Sequence, residues 1–409
     1  MATGAEGEGL WRSVRSMPPA AWILFGGSFV NRFGSFVLVF LVIWLTEQGY
    51  SPAQAGAAVS CYGAGGLASS LLGGYLADRI CRRNAIAVSM FSAAATMLAL
   101  SQARTLPAVL VLSALAGLTS ELYRPASAAL LADLVPPERR LTAYALYRLA
   151  INAGFAAGPA TAGLLAERSF FLVFLGEAIT SAAFGVAALV LLPEGVRAPR
   201  AEERPGELLR AVRADRPFQL FLAASFLGAF VYFQQQGALP LHVVDQGLSY
   251  AAFGLLISLN GLVVVLLELP LTALTGRYPR RPVIALGFLV EGAGFALTAW
   301  ATNMPLLALT VVIWTVGEIV SAPVAQAYVA DLAPAHLRGR YQGAWGLMFG
   351  LALVLAPVIG TAAYGASPTA LWLACGGLGA LAALLTLGGR PRRRRRRALP
   401  VAPSPAPPG

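Results

Sequence analysis

The chain has 409 residues, of which 57% are hydrophobic and only 12% are charged. A soluble protein of this size needs a more charged surface, so the composition excludes a soluble globular fold and predicts a polytopic membrane protein. The net charge of +11 comes entirely from Arg, because the chain has no Lys, and no soluble recognition domain accompanies it, so we expect no nucleic-acid partner.

Twelve apolar runs are each long enough to cross a bilayer as a helix, which needs about 20 residues. They do not alternate with period two as barrel strands do, so we predict an all-α integral membrane protein. The predicted spans lie near 19–46, 52–77, 84–103, 107–133, 142–166, 169–192, 217–243, 250–275, 282–301, 304–330, 341–364 and 367–388.

The spans divide the chain into two halves. We predict a cytoplasmic N-terminus at 1–18, a six-helix bundle at 19–192, a cytoplasmic linker at 193–216, a second six-helix bundle at 217–388, and a basic, Pro-rich cytoplasmic tail at 389–409. The tail run from Arg392 to Arg397 either contacts anionic lipid head groups or only enforces topology.

The two halves are copies of one unit, because a shift of 198 positions superimposes one on the other without gaps. The shift carries Gly56, Ser60, Arg82, Asp133, Arg140 and Pro159 onto Gly254, Ser258, Arg280, Asp331, Arg338 and Pro357. An internal repeat of this length is one structural unit used twice. Six spans per copy make the two copies parallel, related by an axis along the membrane normal.

The Arg residues indicate the orientation. Nearly all of them fall in the termini, the linker and the loops of one face, whereas only Arg104 and Arg168 fall in the loops of the other face. Because cytoplasmic loops carry the excess of positive residues, we predict a multi-pass protein of the plasma membrane with both termini in the cytoplasm. The residue usage, rich in Arg, Ala, Gly and Pro, is typical of a high-GC bacterial gene.

The loop after the second span carries a motif. It reads Gly-Tyr-Leu-Ala-Asp-Arg-Ile-Cys-Arg-Arg over 74–83 and resembles the signature loop of the major facilitator superfamily, with Cys81 where that family usually has Gly. The resemblance implies the family's twelve-helix transporter fold and a cytoplasmic gate formed by ion pairs. We place in this gate Gly74, Asp78, Arg79, Arg82, Arg83, Asp133, Arg140, Arg148 and Arg338. The alternative is that the Arg residues are topology signals and Asp78 is a helix-end charge.

The fifth span carries a second motif, Asn152, Gly154, Gly158, Pro159 and Gly163. It resembles the fifth-helix motif of superfamily antiporters, and in the second copy Pro357 remains while the preceding Gly is lost. Small residues at this spacing let helices approach closely, and Pro kinks the helix. The resemblance implies the drug and proton antiporter group. A plain small-residue packing seam is the alternative.

Ionisable residues inside spans are candidates for function, because a charge in hydrocarbon is costly. We predict proton coupling by residues drawn from Arg32, Glu121, Arg124, Glu177 and Glu318. Glu121 and Arg124 lie three apart on one helix face and form either a structural ion pair or a pair opened by protonation; the family resemblance implies a proton-transfer role for Arg124. Arg148 lies nearer the cytoplasmic end. Glu291 lies on a span that usually faces the periphery of this fold.

Polar and aromatic residues indicate the substrate cavity. We predict that it is lined by Asn31, Tyr232, Phe233, Gln234, Gln235 and Gln236, a mixture suited to a small amphipathic organic molecule. The alternative is that these side chains bond to neighbouring helices.

The resemblance implies a secondary transporter rather than an enzyme, driven by the proton gradient without a cofactor. We expect a monomer that exports small amphipathic compounds by alternating access. The alternatives are a proton-coupled uptake symporter of the same fold and, more remotely, a membrane receptor or enzyme. The Cys residues and His242 and His336 show no metal-ligand spacing, so we expect no metal site.

Overall fold

The computed structural model describes residues 14–136, 139–194, 212–213, 215–334 and 337–388, without the side chains of residues 70, 71, 73–78 and 141. Within these ranges the chain forms membrane helices and short connections and no β-strand. We number the twelve helices α1 (Pro19–Glu47), α2 (Pro52–Ile80), α3 (Arg82–Ser101), α4 (Leu106–Leu134), α5 (Arg140–Arg168), α6 (Phe170–Leu191), α7 (Arg216–Asp245), α8 (Tyr250–Thr275), α9 (Arg280–Leu297), α10 (Met304–Leu332), α11 (Arg338–Ala366) and α12 (Pro368–Gly388).

The helices agree with the predicted spans to within a few residues at each end. Eleven of the helices in the described part are long and apolar enough to cross a membrane. The remaining one, α2, is 29 residues long, and several of its side chains lie outside the described part. The part of the N-terminus before residue 14, most of the linker and the whole tail lie outside the described residues.

Three helices are interrupted. α1 consists of Pro19–Phe33 and Val37–Glu47, and α7 consists of Arg216–Tyr232, a 3₁₀ turn and Ala238–Asp245. The interruption in α7 starts 199 positions after the one in α1, within one residue of the repeat's shift of 198, so both belong to the repeated unit. α4 is divided at Leu122 into Leu106–Glu121 and Tyr123–Leu134.

The repeat is also visible in the contacts between the halves, which meet along α2 with α11 and along α5 with α8. The Ser60 hydroxyl accepts a hydrogen bond from the backbone N–H of Val358 at 3.2 Å, and the Ser258 hydroxyl accepts one from Ala160 at 2.9 Å. Both partners are related by the shift of 198. The two interfaces are therefore copies of one contact, as a parallel pseudo-twofold axis requires.

The halves are closed together at one end and separate at the other. We call the end that carries residue 192 and Arg216 the linker face, and the other end the opposite face. Towards the opposite face, one hydrophobic core joins both halves, for example through Phe40 and Phe253, whose rings lie 5.3 Å apart. Towards the linker face, each half has its own core. This conformation is therefore open to the linker face.

Candidate functional site

A cavity of about 490 Å³ lies between the two halves. We call it the central cavity. Its charged and polar side chains are Arg32, Tyr62, Glu121, Arg124 and Asn152 on the N-terminal half and Tyr232, Gln236, Asn260 and Glu318 on the C-terminal half. Aromatic rings, among them Phe155, Phe233 and Phe349, form much of the remaining wall. The mixture suits an amphipathic molecule.

Three charged side chains on the wall form one cluster. Glu121 accepts a hydrogen bond from Arg32 at 2.8 Å on one carboxylate oxygen and from Arg124 at 2.8 Å on the other. The Arg32 and Glu121 side chains are 16% and 18% exposed, whereas Arg124 is 52% exposed towards the cavity. Charge-assisted bonds of this kind are strong when they are largely removed from water. We call these residues the coupling cluster; its net charge is +1.

The sequence alone explains the contact between Glu121 and Arg124. Glu121 and Arg124 stand three apart across the break at Leu122, a spacing that places side chains on one helix face. The contribution of Arg32 comes from a different helix and depends on how α1 packs against α4. One carboxylate therefore joins two helices of the N-terminal half.

The wall that the C-terminal half contributes to the central cavity carries a negative charge. Glu318 on α10 accepts a hydrogen bond from the Asn260 side chain of α8 at 3.0 Å, and Asn260 is also 3.0 Å from the Thr315 hydroxyl. Asn260 was missed as a site residue, although an Asn inside the apolar α8 is a detectable signal. The coupling cluster and Glu318 thus give the cavity a positive and a negative side.

Two of the three predicted Gln residues do not line the central cavity. Gln234 and Gln235 are 0% and 1% exposed, and the Gln234 amide donates to the Ala356 carbonyl of α11 at 3.3 Å. The 3₁₀ turn at Phe233–Gln235 directs these side chains into the helix packing, and Gln236, after the turn, reaches the cavity. The prediction for Tyr232 and Phe233 agrees with their position on the wall.

Asn31, predicted to line the cavity, and Glu177, predicted as a proton-coupling candidate, both lie away from the described cavity walls. Successive helical residues point about 100° apart, so Arg32 faces the cavity while Asn31 faces Ser181 at 3.5 Å. Glu177 on α6 accepts a hydrogen bond from the backbone N–H of Val37 at 2.7 Å. Its carboxylate caps the second segment of α1, where an N–H would otherwise lack a partner.

The residues of the fifth-helix motif position α5 between α1 and α8. A Cβ on Gly154 would lie 2.6 Å from the Phe29 carbonyl oxygen of α1, and one on Gly163 would lie 2.7 Å from the Tyr250 carbonyl oxygen of α8. Gly158 faces Phe33 in the same way. Only a residue without a side chain permits this approach. Pro159 packs its carbonyl against α8, and Asn152 lines the central cavity.

The predicted gate residues on the linker face pair mainly within one half. Arg82 forms an ion pair with Asp133 and donates to the Ala129 carbonyl at 2.8 Å, tying α3 to α4. The second copy repeats this pair with Arg280 and Asp331. Arg83 pairs with Glu194, and Arg140 donates a hydrogen bond to the Val135 carbonyl. Arg79 and Arg338 are exposed. Gly74 and the side chain of Asp78 lie in the segment whose side chains are not described.

One described ion pair bridges the halves. Arg148 on α5 lies 2.6 Å from Glu268 on α8, with the Arg148 side chain 61% exposed. This pair is nearer the linker face than the glycine contacts of the same two helices. Arg148 therefore belongs to the interface between the halves, and its partner there is Glu268, to which the sequence assigned no role.

The turn of the signature loop contains a strained residue. Cys81 has φ 65° and ψ 157°, a conformation that glycine adopts easily and other residues rarely. This explains why the related family pattern has Gly at the position. Among the described residues, no group of three or more His, Cys, Asp or Glu side chains could hold a metal ion.

Comparison with known proteins gives matches along most of the chain. The model of the Major Facilitator Superfamily matches residues 24–264 and 236–408. The MFS-type transporter YqjV of Bacillus subtilis is 27% identical over 86% of this chain and 87% of its own. A Na(+), Li(+), K(+)/H(+) antiporter of Planococcus maritimus is 27% identical, with 82% and 87% covered, and the multidrug resistance protein MdtH of Cronobacter sakazakii is 29% identical, with 69% and 71% covered.

Solved structures share the fold. The nucleoside transporter NupG superimposes with a TM-score of 0.79 at 16% identity, covering 91% of this chain and 99% of its own. The peptide transporter POT gives a TM-score of 0.75 at 21% identity, with 91% and 94% covered. The match of the family model along almost the whole chain shows that this protein belongs to the Major Facilitator Superfamily, a family of membrane transporters and not of enzymes.

Proposed function

We propose that the protein exports small amphipathic organic compounds in exchange for protons, by alternating access. The observation that carries the proposal is the coupling cluster: one carboxylate, Glu121, is shared by Arg32 and Arg124 on the wall of a cavity between the two halves. In this position Glu121 can release an Arg partner when it takes up a proton, and it does so in the cavity in which we expect the substrate to bind.

The proton acts through the partners of Glu121. A neutral Glu121 would leave Arg32 as a largely buried cation without its counter-ion, and an uncompensated buried charge is strongly unfavourable. Arg32 lies at the end of the first segment of α1, just before the break at Gly34. Protonation therefore favours a rearrangement of α1 relative to α4.

Helix packing transmits this change to the interface between the halves. α1 packs on α5 through Gly154 and Gly158, and α5 packs on α8 through Gly163 and the Pro159 carbonyl. Close backbone contacts make such helices move together. The route from the proton to the other half is thus α4, α1, α5 and α8.

The direction follows from the orientation that we predicted from the Arg residues. If the linker face is cytoplasmic, this conformation is open to the cytoplasm and loads substrate there. The linker face then closes, and the opposite face, where the joint core lies, opens. This change releases the substrate outside the cell. The name of the MdtH relative agrees with export of drug-like compounds.

A second candidate is exchange of monovalent metal ions for protons. It is favoured by the name of the Planococcus maritimus relative and by the carboxylate of Glu318 on the cavity wall. An uptake symporter with the same cavity remains the alternative for the direction of coupling.

Proteoliposomes with an imposed pH gradient test the proposal. We expect vesicles with an acidic lumen to accumulate amphipathic probes from a panel of lipophilic cations and antibiotics, and an ionophore that collapses the gradient to stop accumulation. Glu121→Gln should abolish the gradient-driven part, whereas Glu47→Gln, at an exposed helix end, should not. Accumulation that ignores the gradient, or that survives in Glu121→Gln, would contradict proton exchange. Uptake of radioactive sodium ions in place of the organic probes would support the second candidate.

A further inference from the structure

A second cavity opens inside the C-terminal half. Its volume is about 260 Å³, and its walls come from α7, α9, α10 and α11. Tyr232, Glu318 and Phe349 line both this cavity and the central cavity, so the two cavities lie side by side. We call it the branch pocket.

The branch pocket contains a carboxylate that the proposed function does not use. Glu291 on α9 lines the pocket and is 4% exposed. It makes no hydrogen bond or ion pair with any residue in the described ranges. The sequence had suggested a peripheral position for Glu291, but the pocket lies on the inner side of α9, which packs against α10 and α12.

The charged side chains that line the branch pocket are all acidic. Glu318 also reaches it, and no Arg, Lys or His is among the residues that line it. A buried carboxylate without a counter-ion is unfavourable unless it is protonated or pairs with a cation. The described residues that line the pocket supply no cation, so a cation that pairs with Glu291 has to come from outside the chain.

The remaining wall indicates which kind of cation. Tyr232, Phe288, Trp345 and Phe349 all contribute to the lining, and Trp345 Nε1 donates to the Ser225 hydroxyl at 3.0 Å. Aromatic rings attract organic cations through their faces, and carboxylates pair with ammonium groups. A bare metal ion would instead need several oxygen ligands around it.

Size limits the ligand to a small cationic group. Sites for drug-sized ligands span roughly 300–1,000 Å³, and the branch pocket lies below that range. At Tyr232, Glu318 and Phe349 the branch pocket adjoins the larger central cavity, which has room for an apolar body.

We propose that the branch pocket binds the ammonium group of amphipathic organic cations and that Glu291 is its recognition residue. The inference rests on the proposed function only for the identity of the transported compounds. It assigns charge selection to the C-terminal half and leaves proton exchange to the coupling cluster. Glu291 therefore determines which substrates bind rather than whether protons move.

The test is direct binding to the purified full-length protein in detergent, without a gradient. The probe is radiolabelled benzyltrimethylammonium, with its uncharged isostere neopentylbenzene as competitor. We expect saturable binding that the neutral isostere does not displace. Glu291→Gln should weaken binding at least tenfold, Glu291→Asp should largely retain it, and Glu47→Gln, which removes an exposed carboxylate, should leave it unchanged.

Three results would overturn the proposal. Unchanged binding in Glu291→Gln would show that the carboxylate does not recognise the cation. Displacement of the probe by the neutral isostere would show that the pocket selects shape and not charge. Binding of radioactive sodium ions that depends on Glu291, without binding of the probe, would make it a metal-ion site. Because binding needs no gradient, failure of proton exchange in vesicles would leave each of these results interpretable.

Discussion

Replacing Gly163 with Ala should shift the conformational equilibrium of the transporter. A Cβ at Gly163 would lie 2.7 Å from the Tyr250 carbonyl oxygen and 2.8 Å from the Ala251 Cα, both of them backbone atoms of α8. Ordinary contacts begin near 3.4 Å, so α5 and α8 would have to separate by several tenths of an ångström there. Overpacking of this kind costs about 1–3 kcal/mol.

This overpacking raises the free energy of only one of the two conformations. The contact lies towards the opposite face, where the halves are closed in this structure and apart in the alternative conformation. A difference of about 1–3 kcal/mol between two states is a shift of roughly 5- to 150-fold. Gly163→Ala should therefore reduce the population that is open to the linker face.

Pulsed electron paramagnetic resonance can measure the shift. Spin labels at Arg168 and Gln246, near the opposite face on the two halves, report the separation in reconstituted protein. Gly163→Ala should lose the short-distance population and gain a longer one. Gly365→Ala is the matched control, because nothing lies within 4 Å of a Cβ at that position. An unchanged distance distribution in folded Gly163→Ala protein would refute the role of this contact in closing the opposite face.

Three further predictions concern stability in detergent. Glu121→Gln should lower the free energy of unfolding by about 3–5 kcal/mol, because Arg32 is left without its partner. The double variant Glu121→Gln/Arg32→Gln should recover much of that loss, and an equal loss in the single and the double variant would exclude this cause. Cys81→Gly should raise stability by about 1 kcal/mol, because relief of backbone strain exceeds the added chain entropy, and a lower thermal midpoint would contradict that. Ser60→Ala and Ser258→Ala should each cost about 0.5–1.5 kcal/mol, because they remove equivalent hydrogen bonds; clearly unequal losses would argue against symmetric interfaces.

Hydropathy and the repeat were sufficient to predict the architecture. Apolar length defines a membrane helix almost alone, so the spans were located to within a few residues. The shift of 198 positions also carried contact information, because Ser60 with Val358 and Ser258 with Ala160 prove to be related by it. The interruptions of α1 and α7 were not predicted, because neither break contains a Pro and the Gly and polar residues there lie within long spans that are otherwise apolar.

The site was predicted less completely, for reasons of side-chain direction. Residue type identified Glu121, Arg124 and Arg32 as candidates, but the contact of Arg32 with Glu121 depends on packing between helices and was not predicted. Asn31 was assigned to the cavity because it is a polar residue inside a span, yet its neighbour Arg32 faces the cavity and Asn31 does not, because adjacent helical residues point in different directions. Glu291 was assigned to the periphery because of its span, and only the packing of α9 shows that it lines an internal pocket.

The central claim is that substrate export is exchanged for protons at Glu121, and the sign of proton movement tests it most directly. Proteoliposomes carrying a pH-sensitive dye, without an imposed pH gradient, should report protons moving against the substrate when a lipophilic cation or antibiotic is added. The same addition should give no proton signal with Glu121→Gln or Arg124→Ala protein. Protons that move in the same direction as the substrate would make the protein a symporter, and transport without any proton movement would contradict the account.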